Sequence, residues 1–126
     1  MADKCLGFML FTNGHMIDGV DGVEYDQPAC GSFSINVNSG LVFEQFVEMI
    51  GLSLGVDMRS NHLEIIYRHP NLTPLGSVKY MPFPIHNEQA MNLMFSLAMP
   101  LPNLVHLYVN VSRVGLDVDL NFASVL

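Results

Sequence analysis

Histidine and cysteine are the residue types here that could most readily bind a metal, but their spacing argues against it. The five histidines are spread along the chain, at His15, His62, His69, His86 and His106. No two stand one helical turn apart, and no Cys-x-x-Cys pair accompanies them. The sequence therefore predicts no metal site, and it shows no pattern that would bind a cofactor.

The candidate nucleophiles lack the partners that nucleophilic catalysis needs. Cys30 precedes Gly31 and Ser32, but the sequence places no histidine beside it to act as a base. Ser32 and Ser34 lack the Gly-x-Ser-x-Gly context of a hydrolase elbow. We therefore expect no enzymatic activity, and a small enzyme that uses Cys30 is the less favoured alternative.

Four acidic residues lie close together near the N-terminus: Asp18, Asp21, Glu24 and Asp26. Their spacing does not match a calcium loop, which needs acids at alternate positions and a distal glutamate. The simplest interpretation is a solvated acidic loop. The alternative is a docking site for a basic partner, where charge governs specificity and encounter rate. Both interpretations stay open at this point.

Composition narrows the classes of partner. Twelve acidic and five basic residues give a net charge of −7, so direct binding to nucleic acid or to anionic membranes is disfavoured. Half of the residues are hydrophobic, which indicates spare apolar surface for a protein partner or a homo-oligomer. No secretion signal and no apolar stretch of about 20 residues is apparent. We expect a nuclear or cytoplasmic protein that is neither secreted nor membrane-bound.

Hydrophobic periodicity predicts two N-terminal strands separated by a long loop. The segment from Leu6 to Phe11 is apolar on both faces, as in the central strand of a sheet. Turn-forming residues dominate from Asn13 to Gly31, with a short extended piece around Val23 to Tyr25. Residues 32–38 then alternate as a half-exposed strand.

Two helices follow from apolar spacing and capping residues. Asn38, Ser39 and Gly40 precede the first, predicted from about Leu41 to Leu54 with a stop at Gly55. Asn87 caps the second, predicted from Glu88 to about Met99. The predicted inward stripes are Phe43, Phe46, Val47, Ile50 and Leu54 on the first helix, and Ala90, Leu93, Met94 and Leu97 on the second.

Three further strands complete the pattern. One runs from Leu63 to Arg68 and ends at His69-Pro70, and the next runs from Val78 to Ile85. Pro82 and Pro84 mark the latter as an edge strand. The last strand runs from Leu104 to Val111.

The element order ββαββαβ predicts an α+β domain of the ubiquitin-like (β-grasp) type. Its mixed sheet would have five strands, with two helices on one face and the first and last strands parallel in the middle. The predicted domain spans residues 6–111. Residues 1–5 form an N-terminal tail, and residues 112–126 look like the start of a linker.

Ordered pieces of the chain resemble the N-terminal domain of plant Mutator-like transposases, which is itself similar to the Phox-and-Bem type of interaction module. They include Gly22-Val23-Glu24-Tyr25, Gly40 to Phe46, Leu63 to Arg68, Tyr80 to Ile85 and Leu107-Tyr108-Val109. The resemblance covers about Leu6 to Val111 and rests on hydrophobic patterns. It implies the non-catalytic, protein-binding head of a transposable-element protein.

In that family the DNA-cutting domain and a zinc-binding segment lie downstream, so the resemblance implies a truncated element. A free-standing ubiquitin-like adaptor is the alternative. One departure concerns assembly: Glu88 is the only acid between Ile65 and Asn110, so the acidic face of charge-paired modules is missing. By resemblance, Lys4 would supply the basic face, and it joins the acids at 18–26 as a candidate partner-binding residue.

Overall fold

The computed structural model describes residues 5–37, 40–100 and 104–113. Within these ranges the chain forms seven strands and two helices. In chain order they are β1 (Cys5–Phe11), β2 (Met16–Gly19), β3 (Gly22–Tyr25), β4 (Gly31–Asn36), α1 (Phe43–Leu54), β5 (Asn61–Leu72), β6 (Val78–Ile85), α2 (Glu88–Ala98) and β7 (Val105–Arg113).

All seven strands join one mixed sheet in the order β2-β3-β6-β5-β7-β1-β4. Strand β1 runs parallel to β7, with Phe8 opposite Val105, and antiparallel to β4. Strand β5 is antiparallel to both β6 and β7. The prediction of an α+β domain with a mixed sheet and two helices is confirmed, and the arrangement is compatible with a β-grasp fold.

The hydrophobic core lies between one face of the sheet and the two helices. The ring of Phe8 in β1 is 5.7 Å from that of Phe46 in α1 and 6.4 Å from that of Phe95 in α2. Both helices therefore pack on the face that carries Phe8. The core draws on alternate residues of the inner strands, including Leu6, Leu10, Ile65, Tyr67, Leu107 and Val109.

The prediction of five strands is wrong, because the segment predicted as a loop contains a hairpin. Strands β2 and β3 pair antiparallel, with Gly19 opposite Gly22 around the turn at Val20-Asp21. The hairpin joins β6 through one parallel bridge between Gly22 and Tyr80. Strands of four residues carry too little alternation to stand out among turn formers.

The bounds of two strands and the position of the edge strand differ from the prediction. Strand β5 continues through Pro70 to Leu72, whereas β7 pairs with it only as far as Tyr67. Beyond Tyr67 one side of β5 has no neighbouring strand, so a missing N–H on that side breaks no ladder bond. Strand β6 has the predicted bounds but is not an edge strand, because Tyr80 pairs with Gly22 of β3 on its outer side; Pro82 and Pro84 lie past this single bridge. Strand β7 extends to Arg113, beyond the predicted domain end.

The C-terminal end of α1 and the N-terminal cap of α2 lie where the sequence predicts them, whereas the buried face of α2 differs in part from the prediction. Gly55 ends α1 in the left-handed conformation (φ 70°), and the Asn87 side chain caps α2 by accepting from the Ala90 N–H at 2.8 Å. The cap of α1 is Val42, while Asn38 and Ser39 lie outside the described residues. The predicted stripe of α2 is partly wrong: Met94 is buried as predicted, but Leu93 is exposed, and the buried residues are Met91, Met94, Phe95 and Ala98.

Candidate functional site

The β2–β3 hairpin lies across the face of the sheet that the helices leave open. It follows β1 in the chain but joins β6, and β7 and β5 separate those two strands. Tyr25 of the hairpin stacks on Phe11 of β1, with ring centroids 4.4 Å apart, and on Tyr108 of β7 at 5.4 Å. This aromatic stack explains how the chain can cross from one part of the sheet to the other.

Three hydrogen bonds fix the hairpin to the sheet. The Tyr108 hydroxyl donates to the carbonyl of Gly14, which precedes β2. Arg68 Nε donates to the carbonyl of Val23 at 2.6 Å, and the Tyr80 N–H donates to the carbonyl of Asp21 at 2.7 Å. The hairpin is therefore a docked part of the domain.

The acidic residues 18–26 do not form one continuous patch. Asp18 lies opposite Val23 and Glu24 opposite Ile17, so Asp18 and Glu24 occupy opposite faces of the hairpin. Asp18 and Asp21 are exposed. Asp26 closes the base of the hairpin and is described next. Lys4 lies outside the described residues.

Asp26 holds the two ends of the hairpin together. Its carboxylate accepts from the His15 N–H at 2.6 Å, and its second oxygen is 3.3 Å from His15 Nδ1. Hydrogen bonding from the His15 backbone, and then from its ring, lowers the pKa of Asp26 below its ordinary value of 3.8. A carboxylate whose pKa is depressed by folding stabilises the fold above the unfolded pKa, and the contribution disappears as the pH falls through the folded pKa.

Replacing Asp26 by Asn should therefore lower the melting temperature at pH 7, and the difference from the parent should close as the pH falls well below 3.8. Thermal unfolding of both proteins across that range measures the effect. Asp18→Asn is the matched control, because Asp18 is exposed on the same hairpin. An equal pH-dependent loss in the control would show that the effect is general acidity rather than the His15 contact.

Exposed apolar side chains gather where the β2–β3 and β5–β6 turns lie. Because β3 and β6 run parallel, the turns that precede them lie at the same end of the sheet. Val20 is 90% exposed in the first turn, and Leu75 is 94% exposed in the second. Leu72 and Val78, which pair across the β5–β6 hairpin, are also exposed. We call Val20, Leu72, Leu75 and Val78 the apolar end; such clusters commonly mark interaction sites.

A notch opens in the sheet where β5 and β7 diverge. Strand β5 continues five residues past Tyr67, but its neighbour β7 begins only at Val105, which leaves a cavity of about 350 Å³. Tyr67, Arg68, Tyr80 and His106 contribute its polar and aromatic lining. Desolvation, and then Arg68, lowers the pKa of His106 below its ordinary value, so its ring is neutral at pH 7.

A second cavity, of about 430 Å³, lies between α1 and strands β5 and β6. Its walls are mainly apolar, and its polar lining includes Glu44, Glu48, His62 and His86. These acids and histidines do not converge: within the described ranges no three His, Cys, Asp or Glu side chains are grouped as metal ligands. The arrangement offers no first coordination shell for a cation.

The candidate nucleophile Cys30 is exposed at the start of β4. Its sulfur donates weakly to the Leu10 carbonyl at 3.5 Å, and its backbone N–H donates to the same oxygen at 2.8 Å. In the part of the chain that the structure describes, no histidine is hydrogen-bonded to this sulfur. The local geometry assembles no nucleophile–base pair around Cys30.

Sequence reasoning missed the residues that line the notch. From the sequence, Arg68 is the last residue of a predicted strand and His106 is one of five dispersed histidines. Their proximity depends on the pairing of β5 with β7, which ends at Tyr67 opposite Leu107 and leaves Arg68 and His106 as the next residues of the two strands. An arginine within a predicted strand, in a chain with only five basic residues, was the one available signal.

Neither helix of the described ranges is long and apolar enough to cross a membrane. No model of a known protein family matches the chain. A comparison with curated proteins likewise finds no significant match to it.

Proposed function

We propose that this chain is a non-catalytic protein–protein interaction domain of ubiquitin-like fold, and that it binds its partner through the apolar end. The observation that carries the proposal is the exposure of Val20, Leu72, Leu75 and Val78 on two adjacent hairpins. Scattered exposed leucines are normal in a monomer, but a cluster at one end of a sheet is costly unless something covers it.

The fold supports this class of function. Without the β2–β3 hairpin, the remaining strands stand in the order β4-β1-β7-β5-β6, with the first and last strands of the chain parallel and adjacent. That order is the one expected of a β-grasp domain. The resemblance to the head of Mutator-like transposases belongs to the proposal as its suggested ancestry, and a free-standing adaptor is the alternative.

The charges around the apolar end favour a basic partner over a second copy of this chain. Asp18 and Asp21 are exposed next to Val20, and the whole chain carries −7. A partner segment with apolar side chains and Lys or Arg would gain both burial and electrostatic attraction. Self-association through the same end would bring like charges together.

Affinity capture with the full chain tests this proposal when binding is compared between variants. We expect one or more proteins bound by the parent to be lost from Val20→Ser/Leu72→Ser/Leu75→Ser, with binding roughly tenfold or more weaker, because apolar anchors at an interface are commonly worth over 1 kcal/mol each. Binding should also weaken with salt.

Leu52→Ser is the matched control, since Leu52 is 80% exposed on α1. It should retain every partner that the triple variant loses. Circular dichroism should show both variants folded, because exposed substitutions change stability by only about 0.5 kcal/mol. Partners that survive the triple substitution but are lost from Leu52→Ser would move the binding surface to the helix side and contradict the proposal.

A further inference from the structure

The positively charged guanidinium of Arg68 lines the notch between β5 and β7. Its guanidinium carbon lies 3.6 Å from the centre of the Tyr80 ring, and its Nε is occupied by the Val23 carbonyl. Within the described residues no carboxylate pairs with it, although the chain carries twelve acids. Stacking and the Nε bond fix the plane of the guanidinium and leave its two terminal nitrogens for another acceptor.

The chemistry around Arg68 suits an acceptor with one negative charge. An arginine fork matches a carboxylate through two parallel hydrogen bonds. His106, the other titratable base lining the notch, is kept neutral by burial and by Arg68 itself, so the notch provides a single positive charge. A dianionic phosphate carries two negative charges, whereas the notch offers one positive charge in a protein of net charge −7. The phosphate would therefore be bound poorly.

Other groups of the notch fit an organic acid with an apolar body. Tyr67 lines it with a buried aromatic ring. Ala98, Leu104, Val105 and Pro70 supply apolar walls. At about 350 Å³ the cavity is at the small end of the range for small-molecule sites.

We propose that the notch binds a small monocarboxylic acid with an aromatic or branched apolar body, its carboxylate held by the terminal nitrogens of Arg68. This inference does not depend on the proposed protein-binding function, because the notch and the apolar end share no residue. The small acid and a protein partner would therefore occupy separate surfaces of the domain.

Nuclear magnetic resonance titration of the ¹⁵N-labelled full chain tests the proposal, with phenylacetate as the probe and phenylacetamide as its uncharged counterpart. We expect phenylacetate to shift the amide signals of Arg68, Tyr80 and His106, and phenylacetamide to bind roughly tenfold or more weakly, because the charged hydrogen bonds to Arg68 are lost. Equal shifts with both probes, or shifts confined to other parts of the chain, would overturn the assignment.

Two variants separate ligand binding from structural damage. Arg68→Lys keeps the charge but loses the fork and should abolish the shifts, whereas Arg59→Lys, at an exposed arginine paired with Asp57, should leave them unchanged. Because Arg68→Lys also removes the Nε bond to the Val23 carbonyl, the amide signals of β2 and β3 in the unliganded variant show whether the hairpin stays docked. If those signals move, the difference between phenylacetate and phenylacetamide in the parent protein decides the assignment.

A peptide C-terminus carries the same chemistry as a small acid, so N-acetyl-Gly-Phe serves as a further probe. If the dipeptide shifts the amide signals of Arg68, Tyr80 and His106 and phenylacetate does not, the small-acid assignment is wrong. The notch would then bind a peptide C-terminus. If phenylacetate binds at least as well as the dipeptide, the small acid stands.

Discussion

Replacing Phe46 by Ala is expected to lower the free energy of unfolding by about 3–5 kcal/mol. Phe46 is fully buried in the first turn of α1, and its ring lies 5.7 Å from Phe8, 6.4 Å from Phe33 and 5.9 Å from Phe95. The substitution removes a ring that three others contact and leaves a cavity between α1, α2 and the sheet. Because domains of this size are stable by only about 5–15 kcal/mol, much of the stability would be lost.

Urea denaturation of the two proteins measures this difference. Leu52→Ala is the matched control, since Leu52 is on the same helix but is mostly exposed, and it should cost less than about 0.5 kcal/mol. Alanine is the better helix former, so any effect of helix propensity would oppose the predicted loss. If Phe46→Ala unfolds at the same urea concentration as Leu52→Ala, the packing of α1 described here is wrong.

Replacing Gly22 by Ala should release the β2–β3 hairpin from β6. Gly22 has a φ of 105°, which L-amino acids rarely adopt, and a Cβ there would collide with the backbone carbonyl of Tyr80. The backbone conformation alone costs about 1–3 kcal/mol for a non-glycine residue. The bridge between Gly22 and Tyr80 is the one ladder pair that joins β3 to β6. The two strands must therefore move apart to make room for the added Cβ.

Hydrogen exchange detects that separation at individual amides. We expect the amides of β3 and the N–H of Tyr80 to exchange roughly tenfold to a hundredfold faster in Gly22→Ala, while β1, β5 and β7 keep their protection. Gly76→Ala is the control: its φ of 84° is also positive, but nothing lies within 4 Å of its Cβ position. Faster exchange in the hairpin of Gly76→Ala would show that strain alone, and not the collision with Tyr80, governs docking.

Features fixed by local chemistry were predictable from the sequence. The Asn87 cap, the Gly55 stop and the full extent of β6 follow from residues within a few positions of the feature. The face of α2 was predicted partly wrongly because apolar residues surround the helix. Met91, Met94, Phe95 and Ala98 have the required i, i+3, i+4, i+7 spacing, but Ala90, Leu93, Met94 and Leu97 have it too.

Features that depend on distant contacts were not predictable. Tyr25 orders the hairpin by stacking on Phe11 and Tyr108, and Tyr108 is far along the chain. The acids of residues 18–26 could be recognised as a group, but their distribution over two faces and the role of Asp26 depend on the strand register. Arg68 lines the notch because β5 continues beyond the last residue of β7 that pairs with it. A local sequence pattern does not predict how far one strand extends past its neighbour.

The parallel pairing of β1 with β7 has a consequence for how the protein is made. The first and last strands of the described chain lie side by side in the sheet, so β1 leaves the ribosome long before its neighbour exists. Until β7 is synthesised, β1 and β5 each present an unpaired edge, and the helices have only part of a surface to cover. Folding during translation must therefore wait for the C-terminal strand, and a nascent chain halted before Val105 would depend on chaperones to stay out of aggregates.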